Sequence, residues 1–370
     1  MYCQFAGKEE SSVFGGMHRF LVQRHMQSKK PTLQDVADAA GVSTATVSRC
    51  LNQPEKVKPD VCARINNAVQ ALGYVPHGAA RALASRRTHT IGAVVPTIDN
   101  AIFSEAIQYL QRGLSQQNYT LLLAQSGYSP AEELREVQAL LGRGIDGLVL
   151  VGEDHHPAVH EAITQQDIPY VNLWSYNPAS LYSCIGMDNF RAGRRLASHL
   201  FDLGHRNIGS ISGILLHNDR ARLRLEGMRS YLAEKGLRLD AKRAVECRYS
   251  GEQGRLALHE LMARDPEITA VICGNDILAL GALCAARELQ LEVPGDLSVT
   301  GFDNLEIIPV LSPALTTMNS PSRRMGAQAA DYLLHQIKAG TNSVQRIELQ
   351  ADLIVRETTG MVKRTMKQHG

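Results

Sequence analysis

TLQDVADAAGVSTATVSRCLN, residues 32–52, is the stretch on which the reading of this 370-residue chain turns. Thr32 can cap a helix whose first turn carries Asp35 three residues on, a spacing that answers unpaired N–H groups. Leu33, Val36, Ala37 and Ala40 then recur at i, i+3, i+4 and i+7 on one stripe. Gly41 supplies the left-handed stop and Ser43 caps a second helix with Val47 and Leu51 facing inward. Ala37 leaves room inside the first helix, and the outer face of the second is short and polar at Thr44, Ala45, Ser48 and Arg49. These are the requirements of a helix–turn–helix, against the plainer alternative of a helical hairpin. Arginine can grip guanine O6 and N7, Thr and Ala methyls can meet a thymine methyl, and hydroxyls can hold phosphates.

Working outward, Pro59 can open a third helix with Val61, Ile65, Ala68, Val69 and Leu72 inward and Gly73 closing it. Residues 74–90, YVPHGAARALASRRTHT, are too polar and too short for a domain. Ala79–Arg86 within them has strong helix propensity, which suits a connector that folds conditionally. From Ile91 onward the pattern changes. Apolar runs (IGAVVP, YTLLLA, GLVLV, YVNL, IGSIS, AVICG, SVTGF) alternate with helical stretches such as Ala131–Leu141, Asn189–Leu203 and Ile277–Leu289. Such alternation predicts parallel sheets covered on both faces. About 270 residues is large for one sheet, so two lobes with a cleft are expected. The cleft should lie at the carboxyl ends of the strands.

Charge is unevenly placed. Residues 29–90 hold nine Lys and Arg against four acids, whereas residues 91–370 hold 27 against 31. A basic segment on a mildly acidic body points to a polyanion partner. Hydrophobic residues at 44% and charged residues at 21% exclude a wholly disordered chain. No apolar run reaches the roughly 20 residues of a membrane helix. Seven scattered cysteines without a CxxC pair fit a reducing cytoplasm and argue against a disulfide framework or a zinc site. The first 28 residues lack the apolar core of a secretory signal and read as an extension, with Met26 an alternative start. No cofactor fingerprint, phosphate loop or G-x-S-x-G elbow follows a strand, so no cofactor is expected. The acidic and histidine-rich segment Glu153-Asp154-His155-His156 with His160 could be taken for a metal site. Pro157 opening a helix after a polar surface loop explains it more simply.

The stretch 32–52, followed by Asn52, Gly73-Tyr74-Val75-Pro76 and Ala80-Arg81-Ala82-Leu83, resembles the LacI/GalR family of bacterial transcription regulators. The resemblance runs on through Gly144-Ile145-Asp146-Gly147, Leu203-Gly204-His205-Arg206, Arg222–Gly227, Asn275-Asp276 and Gly301-Phe302-Asp303-Asn304. It implies an α/β protein with an all-α helix–turn–helix head, a hinge helix and a two-lobed, periplasmic-binding-protein-like body with parallel sheets. The corresponding division is an extension at 1–29, the head at 30–75, hinge and linker at 76–90, the body at 91–362 and a tail at 363–370.

On this resemblance the DNA-contacting set is Thr32, Ser43, Thr44, Ala45, Thr46, Ser48, Arg49, Asn52 and Tyr74. Ala80 approaches base edges, and Leu83 is a minor-groove wedge at a central pyrimidine–purine step, where unstacking is cheap. His77 stands where relatives often carry Asn. The effector set is Asp99, Ile102, Phe103, Trp174, Asn218, Arg222, Tyr249, Asn275 and Asp303, a chemistry suited to a polyhydroxylated ligand. Trp174 has core packing as an equal alternative. The implied partners are double-stranded operator DNA, a sugar or sugar acid, and a second copy of the chain, with Asn100–Gln116 in the contact surface; no membrane partner is expected. Release of a palindromic operator on ligand binding is the expected function. The alternatives are a corepressor-activated repressor of the purine type and an α/β enzyme with a basic appendage. A sugar-binding transport component is opposed by the helical head.

Overall fold

The computed structural model describes residues 30–75, 87–99 and 101–362. They fall into two compact units, one before residue 87 and one from Arg87 onward. The hinge-helix expectation at 79–86, with Ala80 and Leu83, lies outside the described residues, as do the extension at 1–29 and the tail at 363–370.

The first unit holds helices α1 (Leu33–Ala40), α2 (Thr44–Asn52) and α3 (Pro59–Leu72), with a 3₁₀ turn at Pro54–Lys56. Thr32 and Asp35 form a reciprocal capping box, and Gly41, at φ 65°, donates its N–H to the last carbonyls of α1. Ser43 caps α2 by accepting from the Thr46 N–H at 3.2 Å. Val36, Ala37, Val47 and Ile65 are fully buried at the centre. Two inward assignments shift: Cys50 is buried on α2 where only Val47 and Leu51 were expected, and Leu72 is exposed at the end of α3.

The second unit has two six-stranded sheets. The N-lobe sheet uses β1 (Thr90–Val95), β2 (Thr120–Gln125), β3 (Gly147–Val151), β4 (Tyr170–Leu173), β5 (Cys184–Gly186) and, late in the chain, β11 (Arg346–Glu348). The C-lobe sheet uses β6 (Ile208–Ser212), β7 (Ala244–Glu246), β8 (Ala270–Cys273), β9 (Ser298–Asp303), β10 (Thr316–Asn319) and β12 (Asp352–Ile354). Their orders are β11-β5-β4-β3-β1-β2 and β12-β10-β9-β8-β6-β7. Every pairing is parallel except β10 with β12. The chain therefore crosses between lobes three times: after β5, after β10 and between β11 and β12.

Among the described residues, eight helices cover these sheets: α4 (Ala101–Ser115), α5 (Pro130–Gly142), α6 (Pro157–Gln166), α7 (Asn189–Asp202), α8 (Asp219–Glu234), α9 (Gly251–Arg264), α10 (Asp276–Glu288) and α11 (Ser322–Ala339). Three pairs, α4 with α11, α7 with α8 and α9 with α10, are in especially close contact. At each crossing a glycine lies against the facing backbone: Gly326 on the Ala106 carbonyl, Gly227 on that of Phe190, and Gly281 on that of Gly251. A Cβ at any of these would overlap that oxygen. The second unit starts where Thr88 and His89 donate backbone N–H groups to the Asp146 carboxylate at 2.9 and 2.8 Å.

Candidate DNA-reading surface and effector cleft

On the head, Ala45, Arg49 and Asn52 are exposed along one side of α2, with Thr44 and Ser48 half-buried beside them. Asn52 Nδ2 leans on Ser48 Oγ at 3.4 Å. Thr32, Ser43 and Thr46 are tied into caps: Thr32 Oγ1 donates to Asp35 at 2.7 Å, and the Ser43 and Thr46 hydroxyls meet at 2.9 Å. Tyr74 is placed differently from the sequence expectation. At 9% exposure it packs in the head's core, because the chain turns back over α3 after Gly73.

In the body, the start of α8 meets the loops after β3 and β4, Tyr249 after β7 stacks on Tyr128 after β2, and Asp303 at the end of β9 shares a cavity with Ile102 of α4. Asn275 caps α10 with its Oδ1 on the Leu278 N–H at 2.9 Å, which leaves its buried Nδ2 without a partner. Asp303 is 9% exposed, sits at φ 111°, and keeps Oδ1 unpartnered. Burial pushes its carboxyl well above the usual range; Asp276 adds to this, while Arg224 and Arg220 oppose it. Trp174 is 2% exposed, meets Phe103 edge-on at 4.9 Å, and has an unpartnered indole N–H. Ile102 and Asp303 border a cavity of about 420 Å³ that reaches Ser322 and Arg323.

Other expected ligands are held differently. Asn218 is spent structurally: its Oδ1 caps α8, and its Nδ2 donates to the Ile214 carbonyl at 2.8 Å and to the Tyr249 hydroxyl at 3.2 Å. The Tyr249 ring is in turn seated against Gly213, where a Cβ would overlap it, and stacks on Tyr128 at 5.8 Å. Asp99 is exposed on the loop after β1. Arg222 does not enter the cleft. Its guanidinium pairs with Asp154 at 2.9 Å, both groups being about two-fifths exposed.

Arg224, by contrast, is buried, at 8% exposure. It lies over the Phe302 ring at 4.3 Å and donates to Asn189 Oδ1 at 3.0 Å, while its buried Nε has no partner. Asn189 donates onward to the Trp174 carbonyl at 2.8 Å, so arginine and indole are linked through one amide. Arg220, one turn earlier, is 6% exposed and lies with Asp219 against Gly152. Helical geometry would have separated these: at about 100° per residue, 220 and 224 share a face and 222 points away. Tyr128 and Asn189 carried no comparable signal, since each lies in an otherwise ordinary loop or helix start.

The Glu153–His160 segment is not the plain surface loop expected. The His155 side chain is 1% exposed. Among the described residues no three His, Cys, Asp or Glu side chains gather to hold a metal ion, and no helix is long and apolar enough to cross a membrane.

Residues 32–77 match the model of bacterial regulatory proteins of the lacI family. Residues 88–357 match that of periplasmic binding proteins and the sugar binding domain of the LacI family. The chain is 32% identical over 324 residues to the HTH-type transcriptional regulator GntR of Escherichia coli strain K12, covering 88% of this chain and 97% of that protein. It is 33% identical over 331 residues to the HTH-type transcriptional repressor PurR of Vibrio campbellii, covering 88% and 98%. Among solved structures, the lac repressor dimer bound to operator and the anti-inducer ONPF superposes with a TM-score of 0.80 at 28% identity, covering 90% of this chain and all of that one. A helix–turn–helix head and a two-lobed body matched end to end make this chain a member of the LacI family of DNA-binding transcriptional regulators.

Proposed function

We propose that the chain is a homodimeric repressor of a carbohydrate or sugar-acid utilisation operon, released from a palindromic operator when a small polyhydroxylated ligand binds between its lobes. The observation that carries the reading is that four of the residues assigned to the cleft keep a buried polar atom unpartnered: Arg224 Nε, Asn275 Nδ2, Trp174 Nε1 and Asp303 Oδ1. Left bare, each costs about 1–3 kcal/mol. A ligand offering several oxygens to the three donors and a hydroxyl to Asp303 satisfies all of them, and the Phe103–Trp174 pair covers an apolar ring face.

Ile102, Phe103, Trp174, Tyr249, Asn275 and Asp303 remain in the proposed effector set, which gains Arg220, Arg224 and Tyr128. Asn218 acts through Tyr249, and Arg222 and Asp99 stand outside it. On the head, Thr44, Ala45, Ser48 and Arg49 read bases and Asn52 adds a groove contact. Ala80 and Leu83 are proposed to contact the operator's minor groove. Two-fold symmetric half-sites require a two-fold symmetric protein. An apolar groove on α10, formed by Leu280, Leu283 and Leu291 with Leu311, together with Val310 at 74% exposure, supports pairing there, with α4 contributing on the N-lobe.

The test joins two measurements. Monosaccharides and sugar acids are screened for a rise in thermal midpoint, and those that stabilise are added to a gel-shift on a palindrome with a central CG step. A stabilising compound that releases DNA supports the reading. A compound that tightens operator binding reverses the sign of the regulation, and stabilisation by none of them overturns the carbohydrate class.

A further inference from the structure

The histidines of the Glu153–His160 segment play no part in the reading above. His155 is buried with Nδ1 2.9 Å from Glu133 Oε2 on α5 and Nε2 2.9 Å from the Gly152 carbonyl oxygen. A carboxylate and a carbonyl can only accept, so the two contacts are hydrogen bonds at once only when both ring nitrogens carry hydrogen, that is, in the imidazolium form. Burial pushes the imidazole down, but the bonds to Glu133 and Gly152 outweigh it and hold the pKa above the ordinary value.

The titratable groups around the ring are few. Glu133 faces it from α5 and Asp219 acts on it from α8 across the cleft. His160 on α6 meets it edge-on at 5.6 Å. Burial, then the charge on His155, pushes His160 down to about 4, so it stays neutral, bonded to the Tyr170 hydroxyl at 2.9 Å and stacked on Tyr182. On its own loop, Glu153 accepts from Asn177 at 3.0 Å and Asp154 pairs with Arg222.

The turn beside the ring belongs to a set of contacts between the lobes, a clasp. Gly152, at φ 86°, leaves no space for a Cβ beside Arg220 and Asp219. The next N–H, that of Glu153, donates to Asp219 Oδ2 at 3.2 Å, and the Ser175 hydroxyl donates to the same oxygen. Asp219 and Arg220 belong to the C-lobe helix α8, whereas Gly152, Glu153 and Ser175 follow the N-lobe strands β3 and β4.

We propose that His155, anchored by Glu133, is a positioning residue for lobe closure: donating from both nitrogens, it sets the Gly152–Glu153 turn so that the Glu153 amide meets Asp219, and the clasp loosens when the ring loses its second proton. A neutral ring has one donor for two acceptors, so one oxygen must then face a lone pair and the turn shifts. Because the bound proton is favoured in the closed form, closure is complete at and below the ordinary imidazole range and is lost as pH rises through the raised value. The proposal rests on the effector reading only in that closure is the movement the effector would exploit; the clasp itself needs no ligand.

The experiment therefore uses the full chain without ligand. Trp174 is the only tryptophan and precedes the clasp residue Ser175, so its emission reports whether the lobes are shut. Followed from about pH 6 to about pH 10, the wild-type chain should show one red-shifting transition with a midpoint above the ordinary imidazole value of about 6.5. Glu133→Gln keeps the shape and removes the charge, and should lower the midpoint by about one unit or more. His155→Gln should abolish the transition, and Asp219→Ala should give red-shifted emission at every pH. An unmoved midpoint in Glu133→Gln, a transition persisting in His155→Gln, or none in the wild type would overturn the proposal. None of these outcomes touches the ligand screen, so the two readings fail separately.

Discussion

The Arg222 guanidinium sits 2.9 Å from the Asp154 carboxylate, an ion pair that ties α8 of the C-lobe to the loop after β3 in the N-lobe. Two residues on, Arg224 is buried over Phe302 with a free Nε. The two arginines should therefore behave oppositely. Arg224→Gln is expected to leave operator binding intact and to weaken the sugar or sugar acid returned by the screen by about 1.5–3 kcal/mol, on the order of 10- to 100-fold in Kd. Arg222→Gln removes a part-exposed pair worth at most about 1 kcal/mol and should change ligand affinity little. Titration calorimetry of both variants checks this; equal losses would mean that the rim pair also touches the ligand.

This contrast shows where the sequence was legible. Caps and 3.6-residue spacing located the three head helices, because Thr32, Gly41, Ser43, Pro59 and Gly73 each meet a local backbone demand. The long strands were equally plain as apolar runs. Strands β5, β7, β11 and β12 have three residues each, too few for any period to show. The candidate site was legible in part. Asp303 and Asn275 stand at strand ends, where a parallel fold places its ligands. The phase of α8, which leaves Arg222 part-exposed and buries Arg224, was not weighed in naming Arg222, and the burial of Tyr74 and His155 depended on contacts from distant segments.

Asp276 offers a test by pH. It is fully buried, accepting from the Thr317 hydroxyl at 2.6 Å and from the Leu305 N–H at 2.8 Å. Burial pushes its carboxyl up to about 7, against those hydrogen bonds and Arg356. The folded state then binds a proton that the unfolded chain releases near pH 4, so this group's contribution to stability falls as pH rises from about 4 to about 7 and then levels off. The slope approaches about 1.4 kcal/mol per pH unit. Asp276→Asn cannot ionise and should flatten that slope while lowering stability overall, because one of its two acceptors is lost. Urea midpoints measured across this window decide it, and an unchanged slope would assign the proton elsewhere.

For the head, Arg49 is exposed on α2, as entry into a groove requires. Arg49→Ala should cost about 1–3 kcal/mol of operator affinity and relax the choice at one base pair. Binding to a panel of operators changed one base pair at a time measures both. A uniform loss across the panel would make Arg49 a phosphate contact instead.

The helix-crossing glycines make the sharpest prediction about packing. A methyl group at Gly326 would overlap the Ala106 carbonyl oxygen and press on the Leu110 amide, so α4 and α11 must separate to admit it. Helix propensity alone would favour alanine by about 1 kcal/mol, but forced overpacking costs about 1–3 kcal/mol and backbone cannot rotate away as a side chain can. Gly326→Ala should therefore lower the thermal midpoint. Gly142, the last residue of α5, is the matched control: it is exposed, has nothing within 4 Å of the added carbon, and its φ is not in the left-handed region. Gly142→Ala should raise stability by about 0.4–1 kcal/mol. Since the two substitutions are chemically identical, a rise in both would show that the helix crossing has slack and that close packing is not why glycine occupies position 326.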